Sequence, residues 1–109
     1  MSGLGFNISS RADQAVLEVS GEVDMVTAPQ LLEAILAIHR TFQQDVTVDL
    51  SGVVFMDSQG LSTLVFARRQ LAGTRRRLRV DNARPGVAKL LDITGIEHYL
   101  NSDEEPLST

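Results

Sequence analysis

Residues 45–71 of this chain read DVTVDLSGVVFMDSQGLSTLVFARRQL and carry two different hydrophobic periods. From Val46 to Leu50 apolar and polar residues alternate, which is the pattern of a β-strand. Ser51-Gly52 interrupts the alternation, and a short apolar run follows. From Leu61 to Leu71 the apolar residues recur at helical spacing instead. The sequence therefore predicts a buried strand that passes through a short loop into a helix, with Ser58 at the start of that helix.

The rest of the chain predicts strands and helices in alternation after an initial hairpin. The predicted elements are strands at 4–9 and 15–21, a helix from 27 to about 39, a strand at 76–81, a helix from 85 to the Gly95 stop, and a short final strand with Ile96, Tyr99 and Leu100. This order predicts an α/β fold, a single domain with a mixed, mostly parallel sheet and helices packed against it. Such sheets place their sites at the carboxyl ends of strands, where Asp24 and Ser58 fall.

Local signals mark where the helices begin and end. Thr27 is a candidate N-cap of the first helix, Pro29 lies in its first turn, and Gln30 occupies the capping-box position. Ala72-Gly73 ends the second helix. Ser58 has the same local interpretation, an N-cap that contributes about 1 kcal/mol relative to Ala. The local pattern alone favours that structural interpretation over any chemical role.

Length and composition predict one soluble domain. The 109 residues suffice for one core but not for two. The expected domain is 1–109, with its core at about 6–100 and a tail in which Ser102 begins a short helical pattern that Pro106 limits. The absence of cysteine excludes disulfides, thiolate catalysis and cysteine-ligated zinc. No secretory signal pattern and no apolar run of membrane-spanning length occur, so a cytoplasmic protein without a membrane partner is expected.

The charges are unevenly distributed along the chain. The net charge is −4, yet eight of the ten basic residues lie between Arg68 and Lys89, where the only acid is Asp81. Nucleic-acid sites usually interleave aromatic residues with their cations, and this span contains no aromatic residue. We therefore expect a solvated helix end, turn and strand face and no nucleic-acid partner, while a charged docking surface for a protein stays open.

The sequence offers little evidence for catalysis or for a bound cofactor. A hydrolase nucleophile elbow requires glycine two residues before the serine, and that position is Met56. His39 and His98 have no spacing that makes either an evident base for Ser58, and both are expected to lie at the surface or half-buried. Metal and phosphate-loop motifs are absent, so no metal and no cofactor is expected. The remaining candidate is a carboxylate cluster without an evident electrophile: Asp24, Asp49 and Asp57.

This chain resembles the anti-sigma factor antagonists, bacterial proteins built on the STAS domain, in the run VTVDLSGVVFMDSQGLSTLV. It also resembles that family's junction between the second strand and the first helix in the run GEVDMVTAPQL, where Asp24 matches the family's carboxylate. The spacing of the two runs agrees, and the resemblance extends from about Phe6 to Leu100. The paired motifs GEVD and DSQG make it fairly specific.

The resemblance implies a non-enzymatic switch protein. In its unphosphorylated form such a protein binds an anti-sigma factor that is also a serine kinase, and a sigma factor is released. The kinase phosphorylates the serine of the DSxG motif, here Ser58, the complex dissociates, and a PP2C-type phosphatase restores the protein. Gly60, unfavourable in a helix by about 1 kcal/mol relative to Ala, fits a close approach of the partner or its nucleotide to the backbone. The implied partner-binding residues are Asp24, Asp57, Ser58, Gln59 and Gly60.

A second class of function stays open at this point. A STAS module also serves as a fixed scaffold in transporter-associated or stress-sensing complexes, where the serine is unused. The presence of Asp24 together with Asp57 and Ser58 favours the phosphorylatable antagonist.

Overall fold

The strand predicted from Val46 to Leu50 lies in the interior of a four-stranded sheet. The computed structural model describes residues 3–101. Its elements are β1 Gly5–Arg11, β2 Gln14–Val23, α1 Ala28–Phe42, β3 Asp45–Met56, α2 Ser58–Ala72, β4 Leu78–Asp81, α3 Pro85–Thr94 and α4 Ile96–Asn101. The helical pattern predicted from Ser102 lies outside the described residues.

The sheet has the order β1-β2-β3-β4. β1 and β2 form the predicted antiparallel hairpin, and β3 runs parallel to both β2 and β4. Parallel neighbours bring the carboxyl ends of β2 and β3 to the same edge of the sheet, because α1 carries the chain back between them. The prediction of a mixed, mostly parallel sheet is confirmed.

β3 is one continuous strand of 12 residues, although the sequence indicated an interruption at Ser51-Gly52. The register with β2 shifts twice in this region, so β3 contains extra residues that do not break it. A Cβ on Gly52 would lie 2.7 Å from the Cβ of Ser20 and 2.9 Å from the carbonyl oxygen of Val19. Glycine is therefore required by close strand packing at this position.

The core lies between one face of the sheet and the helices. Alternate residues of β2 and β3, such as Leu17 and Val48, are fully buried there, and Leu31 and Ile35 of α1 pack with them. The opposite face is polar and lines an open groove of about 560 Å³. This difference between the faces explains why the apolar residues alternate along the strands.

The predicted final strand is wrong, since Ile96–Asn101 is the helix α4. Ile96, Tyr99 and Leu100 have the i, i+3, i+4 spacing that places side chains on one helical face, and Leu100 is buried. The edge of β4 is also occupied. The side-chain amide of Asn101 accepts a hydrogen bond from the Val80 N–H at 3.0 Å and donates one to the Val80 carbonyl at 3.2 Å.

One member of the basic segment is buried, in contrast to the expected solvated surface. The guanidinium of Arg68 lies 4.3 Å from the ring centroid of Tyr99, and Arg68 is 6% exposed. This cation–π contact joins α2 to α4. Arg69, Arg75 and Arg76 are exposed, as the sequence predicted.

Candidate functional site

The carboxyl ends of β2 and β3 form the edge where the predicted site residues meet. Val23 and Met56 are paired as the last residues of the two strands. The backbone N–H of Asp57 donates to the carbonyl of Val23 at 3.2 Å and ties the two junctions together. Asp24 and Asp57, separated by more than thirty residues in the chain, therefore follow directly from adjacent strand ends.

Asp57 caps helix α2, so the interpretation of Ser58 as the N-cap is wrong. An Asp57 Oδ1 accepts the backbone N–H of Gln59 at 2.9 Å, and the Asp57 carbonyl accepts those of Gly60 and Leu61. Ser58 is the first residue of the helix, and its side chain is exposed. Because the Asp57 carboxylate caps the helix, the Ser58 hydroxyl is not needed as the capping acceptor.

Asp24 closes the loop between β2 and α1. Its Oδ1 accepts the backbone N–H groups of Val26 at 2.9 Å and Thr27 at 3.0 Å. The hydrogen bond from the Thr27 N–H, aided by the one from Val26, outweighs desolvation and lowers the pKa of Asp24 below its ordinary value of 3.8. The carboxylate is therefore ionised at neutral pH and is committed to the loop.

Thr27 is the N-cap residue of α1, as predicted, but its side chain makes no capping hydrogen bond to the helix. The Thr27 Oγ1 donates to the carbonyl of Glu22 at 2.6 Å and accepts the Asp24 N–H at 3.0 Å, and the residue is 3% exposed. The predicted capping-box residue Gln30 instead accepts the Leu4 N–H at 3.1 Å. The Thr27 side chain thus joins the start of α1 to β2, and the Gln30 side chain joins it to the residue before β1.

Gly60 is buried, so close packing inside the domain also accounts for glycine at this position, besides the expected approach of a partner. A Cβ at this position would lie 2.6 Å from Met56 Cγ and 2.8 Å from Val23 Cγ1. Glycine here lets the first turn of α2 pack directly onto the strand ends. Gln59, in contrast, is exposed beside Ser58.

Ser58 stands at one end of an open groove of about 520 Å³ between α2 and α4. Phe66, 48% exposed, and Ile96 contribute apolar surface, and Arg69 contributes charge. This groove was not predicted from the sequence. Phe66 lies outside the apolar stripe of α2, so its position in the sequence could have indicated an exposed aromatic contact. Ile96 is distant in sequence and reaches this groove only through the fold. The lining residues are Ser58, Leu61, Ser62, Val65, Phe66, Arg69 and Ile96.

Further exposed apolar side chains belong to the two strand ends that carry the site. Met25 and Val26 in the loop after β2 are each 71% exposed, and Phe55 near the end of β3 is 49% exposed. Side chains of this size cost free energy when they are left in water. Together with the groove they give the Ser58 edge the composition of an interaction surface, with exposed apolar residues around a few polar ones.

Neither histidine supplies a base at this edge. His39, half-buried, lies with its Nε2 2.8 Å from the Thr74 hydroxyl, and His98 is exposed in α4 beside Asp92 and Gly95. Within residues 3–101 no group of three or more histidine or acidic side chains is arranged to hold a metal ion. Asp49, the third predicted carboxylate, binds the Asn82 amide at 2.8 Å near the middle of β3 and so does not join Asp24 and Asp57.

In the same described part of the chain, no helix has the length and apolar character needed to cross a membrane.

Comparisons with known proteins agree with this architecture. The family model described as "Mlab, STAS domain" matches residues 6–102. The anti-sigma-B factor antagonist of Staphylococcus epidermidis is 31% identical over 88 residues, which are 81% of this chain and 82% of that protein.

Two solved structures share the fold. An anti-sigma factor antagonist from Mycobacterium paratuberculosis is 29% identical with a TM-score of 0.75, covering 90% of this chain and 83% of that one. The anti-sigma factor antagonist SpoIIAA in its unphosphorylated form is 22% identical with a TM-score of 0.72, covering 87% of this chain and 84% of that one. With its sheet order, its paired strand-end carboxylates and these relatives, this chain belongs to the STAS domain family, among the anti-sigma factor antagonists.

Proposed function

We propose that this chain is an anti-sigma factor antagonist that is switched by phosphorylation of Ser58. In its unphosphorylated form it binds an anti-sigma factor that is also a serine kinase, and it thereby releases a sigma factor. The kinase transfers phosphate to Ser58, the complex dissociates, and a PP2C-type phosphatase restores the binding form. The chain itself acts as a binding protein and not as an enzyme.

The observation that carries this proposal is the position of Ser58. Its side chain is exposed at the first position of α2, and Asp57, not Ser58, caps that helix. A kinase can therefore reach the hydroxyl without unwinding the helix. The apolar groove that begins at Ser58 supplies contact surface on the same edge.

The surroundings of Ser58 also support a switch that acts through charge. A phosphate adds about −1.5 to −2 charges. The helix start would ordinarily stabilise an anion, but the Gln59 N–H is already bound by the carboxylate of Asp57. The phosphate therefore remains beside a carboxylate and in solvent. A partner that covers this edge would have to remove water from two adjacent anionic groups, which is unfavourable.

The proposed partner contacts divide into two kinds. Ser58 and Gln59 are exposed and available for direct contact, together with the apolar residues beside them. Asp24 and Asp57 hold the two loops in place through their hydrogen bonds to Thr27 and Gln59. Gly60 contributes by permitting the tight packing beneath Ser58, and it is a positioning residue.

The test is to locate the phosphate. The purified chain is incubated with its cognate kinase and ATP, and the product is analysed by mass spectrometry. We expect one phosphate, on Ser58, and none on Ser58→Ala. Ser62→Ala is the matched control, because Ser62 is also exposed and lies one helical turn away on the same groove. Phosphate on Ser51, Ser62 or Thr63 would contradict the proposal.

A further inference from the structure

The two edges of the sheet differ in how they are protected. β4 has four residues, two of them charged, and the side chain of Asn101 satisfies both backbone groups of Val80. β1 has seven residues, all exposed, and no other described element of residues 3–101 pairs with its outer side. Natural sheets usually protect such an edge with charges, proline or bulges.

β1 carries none of these protections along most of its length. Residues 5–10 read GFNISS, without a charge or a proline, and Arg11 is the only charged residue of the strand. The register with β2 is unbroken over all seven residues. Phe6 and Ile8 are 39% and 49% exposed on the strand. The edge therefore offers a regular backbone and apolar side chains to another strand.

The pairing of β1 with β2 determines which backbone N–H and C=O groups of β1 point toward its free edge. Arg11 pairs with Gln14 across a two-residue turn, and such a flanking pair exchanges its hydrogen bonds within the hairpin. Alternation then directs the N–H and C=O groups of Phe6, Ile8 and Ser10 outward. These are also the residues whose side chains share one face of the strand.

We propose that the β1 edge binds the same edge of a second copy of this chain, in an antiparallel pair centred on Ile8. A two-fold axis through Ile8 pairs it with its own copy and pairs Phe6 with Ser10. Phe6 and Ile8 of both copies then form one apolar cluster on one face. The two Arg11 residues fall at opposite ends of the pair, so no like charges meet.

A second copy fits this edge because two-fold pairing places Ile8 against Ile8 and keeps the two Arg11 side chains apart. The dimer joins two four-stranded sheets into one of eight strands. The Ser58 edge lies at the carboxyl ends of β2 and β3, away from the free side of β1, so both copies keep the site described above accessible. An interface built on one short strand belongs to the small class, below about 1,200 Å². The dimer is therefore weak and forms at high protein concentration.

The test uses the absence of cysteine from the sequence. Single cysteines are introduced as Ile8→Cys and, as a control, Ile93→Cys, since Ile93 is 70% exposed in α3. Ile8 and its copy would form a hydrogen-bonded antiparallel pair, in which the Cα atoms are about 5.5 Å apart, within the disulfide range of about 4.4–6.8 Å. Under mild oxidation we expect Ile8→Cys to form covalent dimers at least tenfold faster than Ile93→Cys. We expect a mixture of Phe6→Cys and Ser10→Cys to cross-link faster than either alone.

Sedimentation equilibrium of the full unmodified chain gives the independent measurement. The average mass should rise above the monomer mass of 11.9 kDa with concentration. Ile8→Lys should weaken association at least tenfold, and Ile93→Lys should leave it unchanged. A monomer at all concentrations, a dimer that persists in Ile8→Lys, or equal cross-linking rates at positions 8 and 93 would overturn the proposal.

Discussion

At two of the strand-to-helix junctions of this protein an aspartate carboxylate binds the backbone N–H groups that follow it, with different results. Four residues connect β2 to α1. In this loop Asp24 accepts hydrogen bonds from the backbone N–H groups of the second and third residues after it, and the Thr27 hydroxyl is buried. A single residue, Asp57, connects β3 to α2, and its carboxylate accepts a hydrogen bond from the Gln59 N–H. The next hydroxyl, that of Ser58, is exposed. A carboxylate cap thus frees the neighbouring hydroxyl at one junction, whereas at the other the hydroxyl is part of the loop.

The largest expected difference concerns modification of the exposed hydroxyl. Phosphorylation of Ser58 should lower partner affinity at least a hundredfold, about 2.7 kcal/mol. The phosphate also repels the Asp57 carboxylate in the free protein, where water reduces the cost. A partner that displaces this water raises the repulsion, which is about 2.8 kcal/mol before screening at about 6 Å and an effective dielectric of about 20, so a hundredfold loss requires no refolding. Amide NMR shifts should stay near Ser58, Asp24 and the first turn of α2. Shifts spread through the sheet would show a conformational switch instead.

At the other junction the hydroxyl should matter for stability. Thr27→Val removes the donor to the Glu22 carbonyl and the acceptor of the Asp24 N–H while keeping the shape. Buried groups left without partners should lower the free energy of unfolding by about 2 kcal/mol. Urea denaturation measures this, with Thr27→Ser as the control that retains the hydroxyl. A Thr27→Val variant as stable as the native chain would contradict the prediction, whereas any loss in Thr27→Ser reports the packing of the methyl group.

Glycine packing beneath Ser58 gives a smaller expected effect. Gly60→Ala places a methyl group within 2.6–2.8 Å of Met56 and Val23, and overpacking should cost about 1–2 kcal/mol of stability. Gly86→Ala is the matched control, since its Cβ would meet no atom within 4 Å in helix α3. That variant should be neutral or stabilising by up to about 1 kcal/mol. Thermal unfolding of the two variants side by side tests the prediction, which a stabilised Gly60→Ala would refute.

The identity of the helix cap is tested by a pair of alanine variants. Asp57→Ala should cost about 1 kcal/mol, because the Gln59 N–H loses its acceptor. Ser58→Ala should change the free energy of unfolding by less than about 0.5 kcal/mol, as surface substitutions usually do. Chemical denaturation measures the free energy of unfolding of both variants. A larger loss in Ser58→Ala than in Asp57→Ala would show that the serine caps the helix.

The smallest expected effect is the pH dependence of the Asp24 loop. The folded pKa of Asp24 lies below 3.8, so its ionised form stabilises the folded state. This contribution is fully present above pH 3.8 and is lost as the pH falls through the lower, folded value. Asp24→Asn keeps an acceptor without the titration. The stability advantage of the native chain over this variant should therefore shrink in acid, as denaturation series on both proteins would measure.

Most of the architecture was predictable because each element buries one face in a regular way. Period-two alternation revealed β3, helical spacing revealed α2, and glycine and proline marked the ends of α3, so the alternating order and the parallel sheet followed. The paired motifs around Asp24 and Asp57 indicated the family. Ser58 lies at the start of α2, as expected, although the N-cap is the residue before it.

Contacts between distant parts of the chain decided the rest. The apolar residues from Ile96 to Leu100 are compatible with a strand or a helix. The helix is favoured by two contacts with distant parts of the chain, that of Tyr99 with Arg68 of α2 and that of Asn101 with the edge of β4. Glycine has a low helix propensity, and the reason for its presence at position 60 is the close packing of Val23 and Met56 beneath it, which only the fold shows.

The sequence by itself therefore determined the elements up to α3, their order and the motifs that carry Asp24, Asp57 and Ser58. Only the tertiary structure decided which hydroxyl is buried, which glycine packs inward and which groove begins at Ser58. The physical reason is that periodicity and caps involve residues within a few positions of one another, whereas burial depends on neighbours from elsewhere in the chain.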